Sequence, residues 1–432
     1  MLEALRGLTT RGRSFLAAAT AAALSAVILG EKDLLRAAVL LAILPVLAAV
    51  YVGRSRYRLA CTRTCEPQRV PVGTTARVKL KLQNLSRWTT GTLLLEDRLP
   101  YALGSRPRLV LERLAAQQAS TVAYTVRTET RGRYQVGPLV VRLTDPFGLC
   151  ELSRSFPTVD PLVVTPEVVP LPTIRLTGEH TGTGESRARS VAVHGEDDAA
   201  TREYRHGDDL RRVHWRSTAR VGELMVRREE QPWESRATVL LDTRAAAHRG
   251  EGPTASFEWA VSAVASICLH LRQGGFKVRM VSDAIDLVTD ESTGSGQLLD
   301  HLAEVRTDPD ADVATLVERV RQRTERGLVI GMFGPLTAPE AEVLAGLRGG
   351  GAGCVAFLMD TTTWLHLPTL EREQADQEHR AGMAALLEGG WRVITIGHGT
   401  RLSAHWPEVA RRGTRGLAWR AAMAETVSGG LR

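Results

Sequence analysis

Residues 14–52 read SFLAAATAAALSAVILGEKDLLRAAVLLAILPVLAAVYV, two apolar runs joined by the four residues GEKD. At a rise of about 1.5 Å per residue, a helix over residues 14–30 or 34–52 is roughly 25–30 Å long, about one hydrocarbon thickness. The connection is too short to separate two independent spans. The sequence therefore predicts a transmembrane hairpin within residues 1–58.

Three alternatives fit parts of this stretch. A cleaved signal peptide would also begin with basic residues and an apolar run, but the second run directly after the first argues against it. The Ala-rich first run is compatible with the core helix of a soluble protein. A single span formed by the second run is the third alternative. We favour the hairpin because two adjacent runs of spanning length are rare in soluble chains.

Basic residues flank the two ends of the predicted hairpin. They are Arg6, Arg11, Arg13, Arg54, Arg56, Arg58 and Arg63. The turn holds one Lys and two acids, so the positive-inside rule places both ends in the cytoplasm. We expect a multi-pass protein of the inner (plasma) membrane whose soluble domains are cytoplasmic. The five Cys residues are too scattered for a disulfide framework and fit a reducing compartment.

The overall composition is that of a globular protein with two or three domains. The chain has 432 residues, of which 44% are hydrophobic and 24% are charged, and this mixture excludes an intrinsically disordered chain. The formal net charge of +7 is spread over the whole length. It is a weak indication of an anionic partner or a membrane surface.

Residues 59–175 contain the alternation that strands require. In ARVKLKLQNLS, from Ala76 to Ser86, apolar and polar residues alternate, which predicts a half-buried strand. The segments TLLLEDRL, STVAYTVRTE, YQVGPLVVRLTD and PLVVTPEVV have similar patterns, and turn residues separate them. Short strands at this spacing predict a small antiparallel β-sandwich. Such a module commonly serves as a spacer without chemistry of its own.

Residues 176–235 combine a polar, Gly-rich stretch with a charged segment, residues 202–230. In the charged segment, eight Arg residues are interleaved with six acids and several aromatic residues. Three interpretations compete: a solvated surface, a nucleic-acid site, and a structural or docking element. In the third, Arg residues pair with acids of the same segment and Trp215 anchors it. Because the acids would repel phosphate, we favour docking or structure and expect no nucleic-acid binding.

Residues 236–432 alternate between buried strands and helices. ATVLLD, residues 237–242, is a continuous apolar run, as expected for a strand buried on both faces. SFEWAVSAVASICLHLRQ, residues 256–273, has helical spacing and ends before a Gly pair. Repeated units of this kind predict a doubly wound α/β sheet, in which ligands bind at the carboxyl ends of the strands. The predicted fold class is therefore α+β multidomain: hairpin, β-sandwich and C-terminal α/β domain.

Asp242 lies at the end of the first of these strands, and its surroundings resemble the cation site of von Willebrand factor A-like domains. That family carries Asp-x-Ser-x-Ser there, and the carboxylate and hydroxyl groups hold Mg²⁺. Here Arg244 and Ala246 replace the two Ser residues. Because hard cations need oxygen ligands, we expect a degenerate metal-site position at Asp242 and no bound metal. The carboxylate would instead pair with Arg244 or cap the following loop.

Other motifs of established chemistry are missing from the sequence. It contains no phosphate loop, no His-Glu-x-x-His zinc motif and no Gly-x-Ser-x-Gly nucleophile elbow. Cys61 and Cys65 have zinc-like spacing, but neither a second pair nor a His lies near them. We therefore predict no cofactor and no enzymatic activity.

Two long motifs resemble those of bacterial domain-of-unknown-function family 58. They are RGRYQVGPLVVRLTDPFGL (residues 131–149) and REYRHGDDLRRVHWRSTARVGELMVRREE (residues 202–230). The resemblance extends over the hairpin, the sandwich and the von Willebrand A-like end. The motif residues that match by position form a candidate interaction site: Arg202, Glu203, Tyr204, Gly207, Asp208, Arg212, His214, Trp215, Arg220 and Arg227.

Members of this family are typically encoded beside MoxR-type AAA+ ATPases and often near transglutaminase-like membrane proteins. The resemblance implies a membrane-anchored adaptor or scaffold that acts with such an ATPase in complex assembly or chaperone-like remodelling. The expected partners are the ATPase, a transglutaminase-like membrane protein and the lipid bilayer. An alternative from another class is a hydrolase or ligand-binding enzyme that uses His214, Asp208 and Arg212.

Overall fold

The computed structural model contains three regions: a helical hairpin, a β-rich region and a C-terminal region of alternating strands and helices. The structure describes residues 7–54, 59–87, 89–145, 147–174, 201–204, 213–227, 236–289, 294–323, 327–348, 353–365 and 368–410. Its helices are α1 (Thr10–Leu29), α2 (Lys32–Arg54), α3 (Trp215–Val221), α4 (Ser256–Gln273), α5 (Ser295–Glu304), α6 (Val313–Arg321), α7 (Ala338–Ala345), α8 (Thr369–Glu388) and α9 (Leu402–His405). The first ten strands are β1 (Leu59–Glu66), β2 (Arg69–Pro71), β3 (Thr75–Asn84), β4 (Leu93–Asp97), β5 (Arg108–Leu111), β6 (Ala119–Arg127), β7 (Gly132–Val136), β8 (Leu139–Thr144), β9 (Glu151–Phe156) and β10 (Asp160–Thr165). The others are β11 (Thr201–Glu203), β12 (Met225–Arg227), β13 (Arg236–Leu241), β14 (Lys277–Val281), β15 (Asp286–Thr289), β16 (Leu328–Phe333), β17 (Cys354–Met359) and β18 (Arg392–Ile396).

Helices α1 and α2 form a hairpin whose connection consists of Gly30 and Glu31. Gly30 ends α1 with a φ of 69°, a left-handed conformation that glycine adopts without steric cost. Both helices are long and apolar enough to cross a membrane. α1 begins four residues before the predicted span 14–30 and ends one residue before its end, α2 extends beyond 34–52 at both ends, and the connection has two residues rather than four. Polar and charged residues form the outer turns of both helices. A prediction based on apolar runs alone does not include them.

Strands β1–β10 form the β-rich region, in sheets of order β1-β3-β6, β5-β4-β8-β9 and β2-β10-β7. Neighbouring strands are antiparallel except for β2 and β10, which are parallel. The prediction of an antiparallel sandwich is therefore wrong at this pair. The partner of a three-residue strand such as β2 is chosen by long-range packing, and a local pattern does not record it.

Apolar side chains of the β-rich region form two clusters. One contains Leu80 and Leu93 together with Ala48 and Val52 of α2, so the end of α2 that joins the β-rich region is buried against the sheets. The other cluster contains side chains of β2, β3, β7 and β10. Tyr124 packs against both clusters.

The C-terminal region, described from residue 236 to residue 410, contains a six-stranded sheet of order β15-β14-β13-β16-β17-β18. All neighbouring strands are parallel except the edge strand β15. On β13, Val239 and Leu241 pack with α4 and α5, whereas Leu240 packs with α6, α7 and α8. Helices thus cover both faces, as a sheet with fully apolar strands requires. β15 and the charged first half of α8, which has no apolar stripe, were not predicted from the sequence.

Candidate functional site

Asp242 lies in the middle of the C-terminal sheet. It follows β13, which has β14 on one side and β16 on the other, so the crevice at which the strand order reverses opens beside it. β13 is apolar and buried, and Asp242 is only 2% exposed. A carboxylate at this depth requires a positive partner and several hydrogen bonds.

The positive partner is the guanidinium group of Arg244. Its Nε and Nη2 atoms donate to the two carboxylate oxygens of Asp242 at 3.0 and 2.8 Å, and its Nη1 donates to Glu340 at 2.6 Å. The backbone N–H groups of Arg244 and Gly334 also donate to Asp242, each at 3.1 Å. Burial disfavours the charged guanidinium, but hydrogen bonds and charges from Asp242 and Glu340 outweigh this effect and raise the pKa of Arg244. Pairing with Arg244 and capping of the loop, the two arrangements left open by the sequence, are both present.

The guanidinium of Arg244 thus lies between the carboxylates of Asp242 and Glu340. A bound cation would need the same two negative partners. Ala246, in the short turn Ala245–Ala247, contributes no side-chain oxygen. Among the described residues, no group of three or more His, Cys, Asp or Glu side chains is arranged to hold a metal ion. At the carboxyl end of β13, the positive charge is therefore supplied by Arg244 of the chain itself.

Polar neighbours hold the loop that carries this pair. Thr243 donates to Asp283 at 2.8 Å, and burial, together with the charges of Asp242 and Asp312, raises the pKa of Asp283. His248 Nε2 donates to the backbone oxygen of Asp242 at 2.8 Å. Burial lowers the pKa of His248, so its imidazole is neutral at neutral pH.

The described parts of the charged segment, residues 202–204 and 213–227, form a small unit of two strands and a helix. β11 and β12 pair in antiparallel fashion, and α3 lies between them in the chain. Backbone bonds from Tyr204 to Leu224 and from His214 to Met225, both at 2.8 Å, extend this pairing. Arg220 lies in the last turn of α3, where a positive charge is favourable. Local backbone bonds therefore hold the described part of the segment, in which Val213 and Val226 are buried.

His214 and Trp215 start α3. His214 is the N-cap, and its Nδ1 accepts from the backbone N–H of Ser217 at 3.3 Å and lies 2.8 Å from the Ser217 hydroxyl. Trp215 is 70% exposed. Among the described residues, the expectation that Trp215 anchors the segment is therefore wrong, because its side chain lies on the exposed side of a seven-residue helix.

Part of the predicted interaction site lies outside the described residues. This applies to Gly207, Asp208 and Arg212, and to the side chains of Arg202 and Arg227. Glu203 and Tyr204 belong to β11 and the residue after it. The structure therefore brings together Tyr204, His214 and Trp215 on one small unit, separate in sequence from Asp242.

Arg131, in the first of the two quoted motifs, ties the β-rich region to the C-terminal region. Its Nε donates to Glu258 at 2.7 Å, and its Nη1 donates to the backbone oxygens of Leu302 and Val305 at 2.8 and 2.6 Å. These oxygens lie at the C-terminal end of α5, where a positive charge is favourable. The guanidinium also lies 5.3 Å from the centre of the Phe257 ring. The motif by itself predicts no role for Arg131, since Glu258 is 127 residues away in the sequence.

A cleft of about 1110 Å³ opens beside Arg131, between the two regions. Charged and aromatic side chains line it, among them Glu129, Arg133, Arg249, Trp259 and Trp364. The indole N–H groups of Trp259 and Trp364 donate to backbone oxygens at 2.9 and 3.0 Å. The two rings are therefore held in place by the backbone around the cleft.

The family comparison concerns the region that contains both the charged segment and Asp242. Residues 200–357 match the family described as "Protein of unknown function DUF58". We refer to these matched residues as the DUF58 region. It begins at β11 and ends within β17, so α3 and the pair formed by Asp242 and Arg244 both lie in it. The resemblance to this family is confirmed for residues 200–357, which include the second quoted motif, and the DUF58 description names no activity. No curated protein matches the chain.

Several solved structures are similar to parts of the chain. The CARDB domain of a Pyrococcus furiosus protein is 11% identical and covers 23% of this chain and 92% of that chain, with a TM-score of 0.18. The alkylpurine DNA glycosylase AlkC of Pseudomonas fluorescens is 14% identical over 30% of this chain and 39% of that chain, with a TM-score of 0.16. A chain of the human complex between zinc 2-glycoprotein and prolactin inducible protein is 14% identical over 25% of this chain and 96% of that chain, with a TM-score of 0.20. Likenesses at these scores carry no functional argument.

Proposed function

We propose that the protein is a membrane-anchored cytoplasmic adaptor or scaffold that acts with a MoxR-type AAA+ ATPase in complex assembly or chaperone-like remodelling. The observation that carries this proposal is the exposed surface of the DUF58 region around α3. Trp215, Val221 and Leu224 are exposed there on a segment that is otherwise rich in Arg. Exposed Trp next to Arg is typical of protein interfaces, where these residue types contribute much of the binding energy.

The hairpin of α1 and α2 is the proposed membrane anchor. Large apolar side chains are exposed along both helices, including Leu24, Ile28, Leu40 and Leu47, and contact with water would be costly for such a surface. Basic residues flank the ends that join the rest of the chain. The positive-inside rule therefore favours an inner-membrane protein with its soluble regions in the cytoplasm.

The C-terminal region is the proposed von Willebrand A-like module. Its strand order and its antiparallel edge strand β15 support this assignment. Because Arg244 supplies the positive charge between Asp242 and Glu340, we expect this edge to contribute to partner binding without a metal ion.

The test is co-purification of the full-length protein, in detergent, with a MoxR-type ATPase encoded beside it. We expect a complex, and we expect Trp215→Ala to weaken it by about tenfold or more, because a central interface Trp commonly contributes that much. Leu370→Ala is the matched control, since Leu370 is also exposed at the start of a helix but lies outside the DUF58 region. The same preparation checks for a transglutaminase-like membrane protein as a second partner.

Two outcomes would contradict the proposal. If the parent protein forms no complex with the ATPase, with or without ATP, the adaptor role is wrong. If Trp215→Ala and Leu370→Ala bind the ATPase equally well, the complex does not use the surface around α3.

A further inference from the structure

We propose that the turn from Asp145 to Leu149 is a membrane-interface element that holds the start of α1 and places Phe147 among lipid headgroups. The inference rests on the proposed insertion of the hairpin and goes beyond it, because it assigns a lipid contact to the β-rich region. The partner that this turn contacts is the anionic headgroup layer of the bilayer.

The turn binds the start of α1 directly. The backbone N–H of Thr9 donates to Leu149 at 3.0 Å, and the Thr9 hydroxyl donates to Gly148 at 2.7 Å. Glu151 donates through its backbone to Gly7 at 2.8 Å. Gly12 lies so close that a Cβ atom there would be 2.2 Å from the Leu149 oxygen. The turn therefore lies beside the end of the hairpin that contacts the β-rich region.

The described residues of the turn, Asp145 and residues 147–149, are held by hydrogen bonds and yet present a large aromatic side chain outward. Asp145 is buried, and its carboxylate accepts from the backbone N–H groups of Phe147 and Cys150 at 2.9 and 2.5 Å. Gly148 has a φ of 67°, which closes the turn. Phe147 is nevertheless 66% exposed. A fixed backbone that holds Phe in water would be unfavourable, whereas aromatic side chains are favourable at the boundary of a bilayer.

Charge at the same level fits anionic lipid. Arg11 and Arg13 are exposed in the first turn of α1, and a guanidinium nitrogen of Arg11 is the nearest atom to the position of a Cβ on Gly148. Basic side chains beside an inserted helix attract anionic headgroups. An apolar tip next to two guanidinium groups is therefore complementary to the headgroup layer.

The length of free helix gives an independent argument. Leu44, Ala48, Ala49 and Val52 of α2 pack in the core of the β-rich region, so lipid cannot fully surround that part of the helix. The part of α2 before Leu44 is about 18 Å long, compared with a hydrocarbon thickness of about 30 Å. This mismatch draws the adjoining end of the β-rich region toward the membrane.

Tyr101 offers a matched internal control. It is fully exposed and follows β4, whereas the turn follows the neighbouring strand β8. Asp97 pairs with Leu139 and Leu93 pairs with Leu143, so the residues after β4 and the residues after β8 lie at opposite ends of this sheet. An aromatic residue at position 101 should therefore remain in water when position 147 contacts lipid.

The experiment uses the full chain in vesicles of zwitterionic and anionic phospholipid. An environment-sensitive thiol dye is attached to Phe147→Cys, Tyr101→Cys or Leu24→Cys, and quenching by lipids with bromine near the headgroup or deep in the chain is measured. The parent chain, whose cysteines are buried apart from half-buried Cys61, gives the background. We expect several-fold stronger quenching by shallow bromines at position 147 than at position 101, and quenching by deep bromines at position 24.

The outcomes separate the two proposals. Equal, weak quenching at 147 and 101 with strong quenching at 24 overturns the interface role of the turn and leaves the hairpin anchor intact. Weak quenching at all three positions overturns both. Quenching at 147 without quenching at 24 overturns the spanning hairpin and, with it, the role of the turn beside an inserted helix.

Discussion

At the scale of single residues, the guanidinium of Arg244 compensates the buried negative charge of Asp242 in the C-terminal region. It forms two hydrogen bonds with a carboxylate that is almost completely buried and a third with Glu340. A buried ion pair adds little net stability, but removal of one partner leaves the other charge uncompensated. Asp242 therefore depends on Arg244.

We predict that Arg244→Ala lowers the free energy of unfolding of the C-terminal region by about 3–5 kcal/mol, because the Asp242 carboxylate remains buried without its counter-charge. Urea unfolding followed by Trp fluorescence measures this loss. Arg323→Ala is the control, since Arg323 is 56% exposed and its nitrogen lies 4.0 Å from Asp286; we expect at most about 1 kcal/mol there. Equal effects of the two substitutions would contradict the dependence.

We predict that His214→Asn preserves α3 and binding of the ATPase, whereas His214→Ala impairs both. Asn is a good N-cap and can accept the Ser217 N–H, but Ala cannot, and loss of a cap costs about 1 kcal/mol. Amide hydrogen exchange at α3 and co-purification measure the two effects. The alternative in which His214 acts as an acid or base with Asp208 and Arg212 predicts instead that His214→Asn and His214→Ala abolish function equally.

At the scale of elements, the C-terminal end of α5 joins the β-rich region to the C-terminal region. Arg131 occupies the carbonyl oxygens that a helix leaves without partners at this end. Arg69 and Arg133 add pairs with Asp300 and Glu304 of the same helix. Helix α5 is thus one contact between the two regions, and α4, which carries Glu258, is another.

We predict that Arg131→Ala separates the thermal unfolding of the two regions and lowers protection of α5 amides, because Glu258 and the helix end lose a buried partner. The expected loss is about 3 kcal/mol, within the range for a broken buried pair. Calorimetry and hydrogen exchange measure it. Arg133→Ala is the control, since Arg133 is half exposed, and unchanged coupling in Arg131→Ala would show that α5 is held by other contacts.

At the scale of the whole molecule, stability should fall in mild acid. Burial is the main cause that lowers the pKa of four histidines in the C-terminal region: His248, His270, His301 and His379. A lowered pKa in the folded state means that the unfolded chain binds protons first. The contribution of these neutral histidines to the free energy of unfolding is therefore complete above about pH 6.5, the ordinary pKa of histidine. It is lost as the pH falls toward their lowered pKa values in the folded state.

We predict that the Tm of the C-terminal region decreases from pH 7 to pH 5, and that His379→Leu makes this decrease smaller. Both ring nitrogens of His379 are buried without a hydrogen-bond partner among the described residues. Asp360 and Asp376 partly offset the burial, and Arg380 adds to it. Scanning calorimetry over this pH range measures the slope. An unchanged slope in His379→Leu would mean that other groups control the acid sensitivity.

Local patterns were sufficient for the helical pair, most strands of the β-rich region and the alternation of strands and helices after residue 236. Periodicity and apolar runs reflect which faces of an element are buried, and burial acts on each element wherever its partner comes from in the chain. The pairing of Asp242 with Arg244 was also within reach, because the two residues are neighbours in sequence.

Contacts between distant parts of the chain were decided only by the tertiary structure. The role of Arg131 at Glu258 and α5, the docking of residues 145–149 on α1, and the parallel pairing of β2 with β10 all join residues far apart in sequence. The exposure of Trp215 belongs to the same class, since the residue type alone suggested an anchor. Such contacts are formed by shape and charge in three dimensions, and these are properties that no local spacing of residues records.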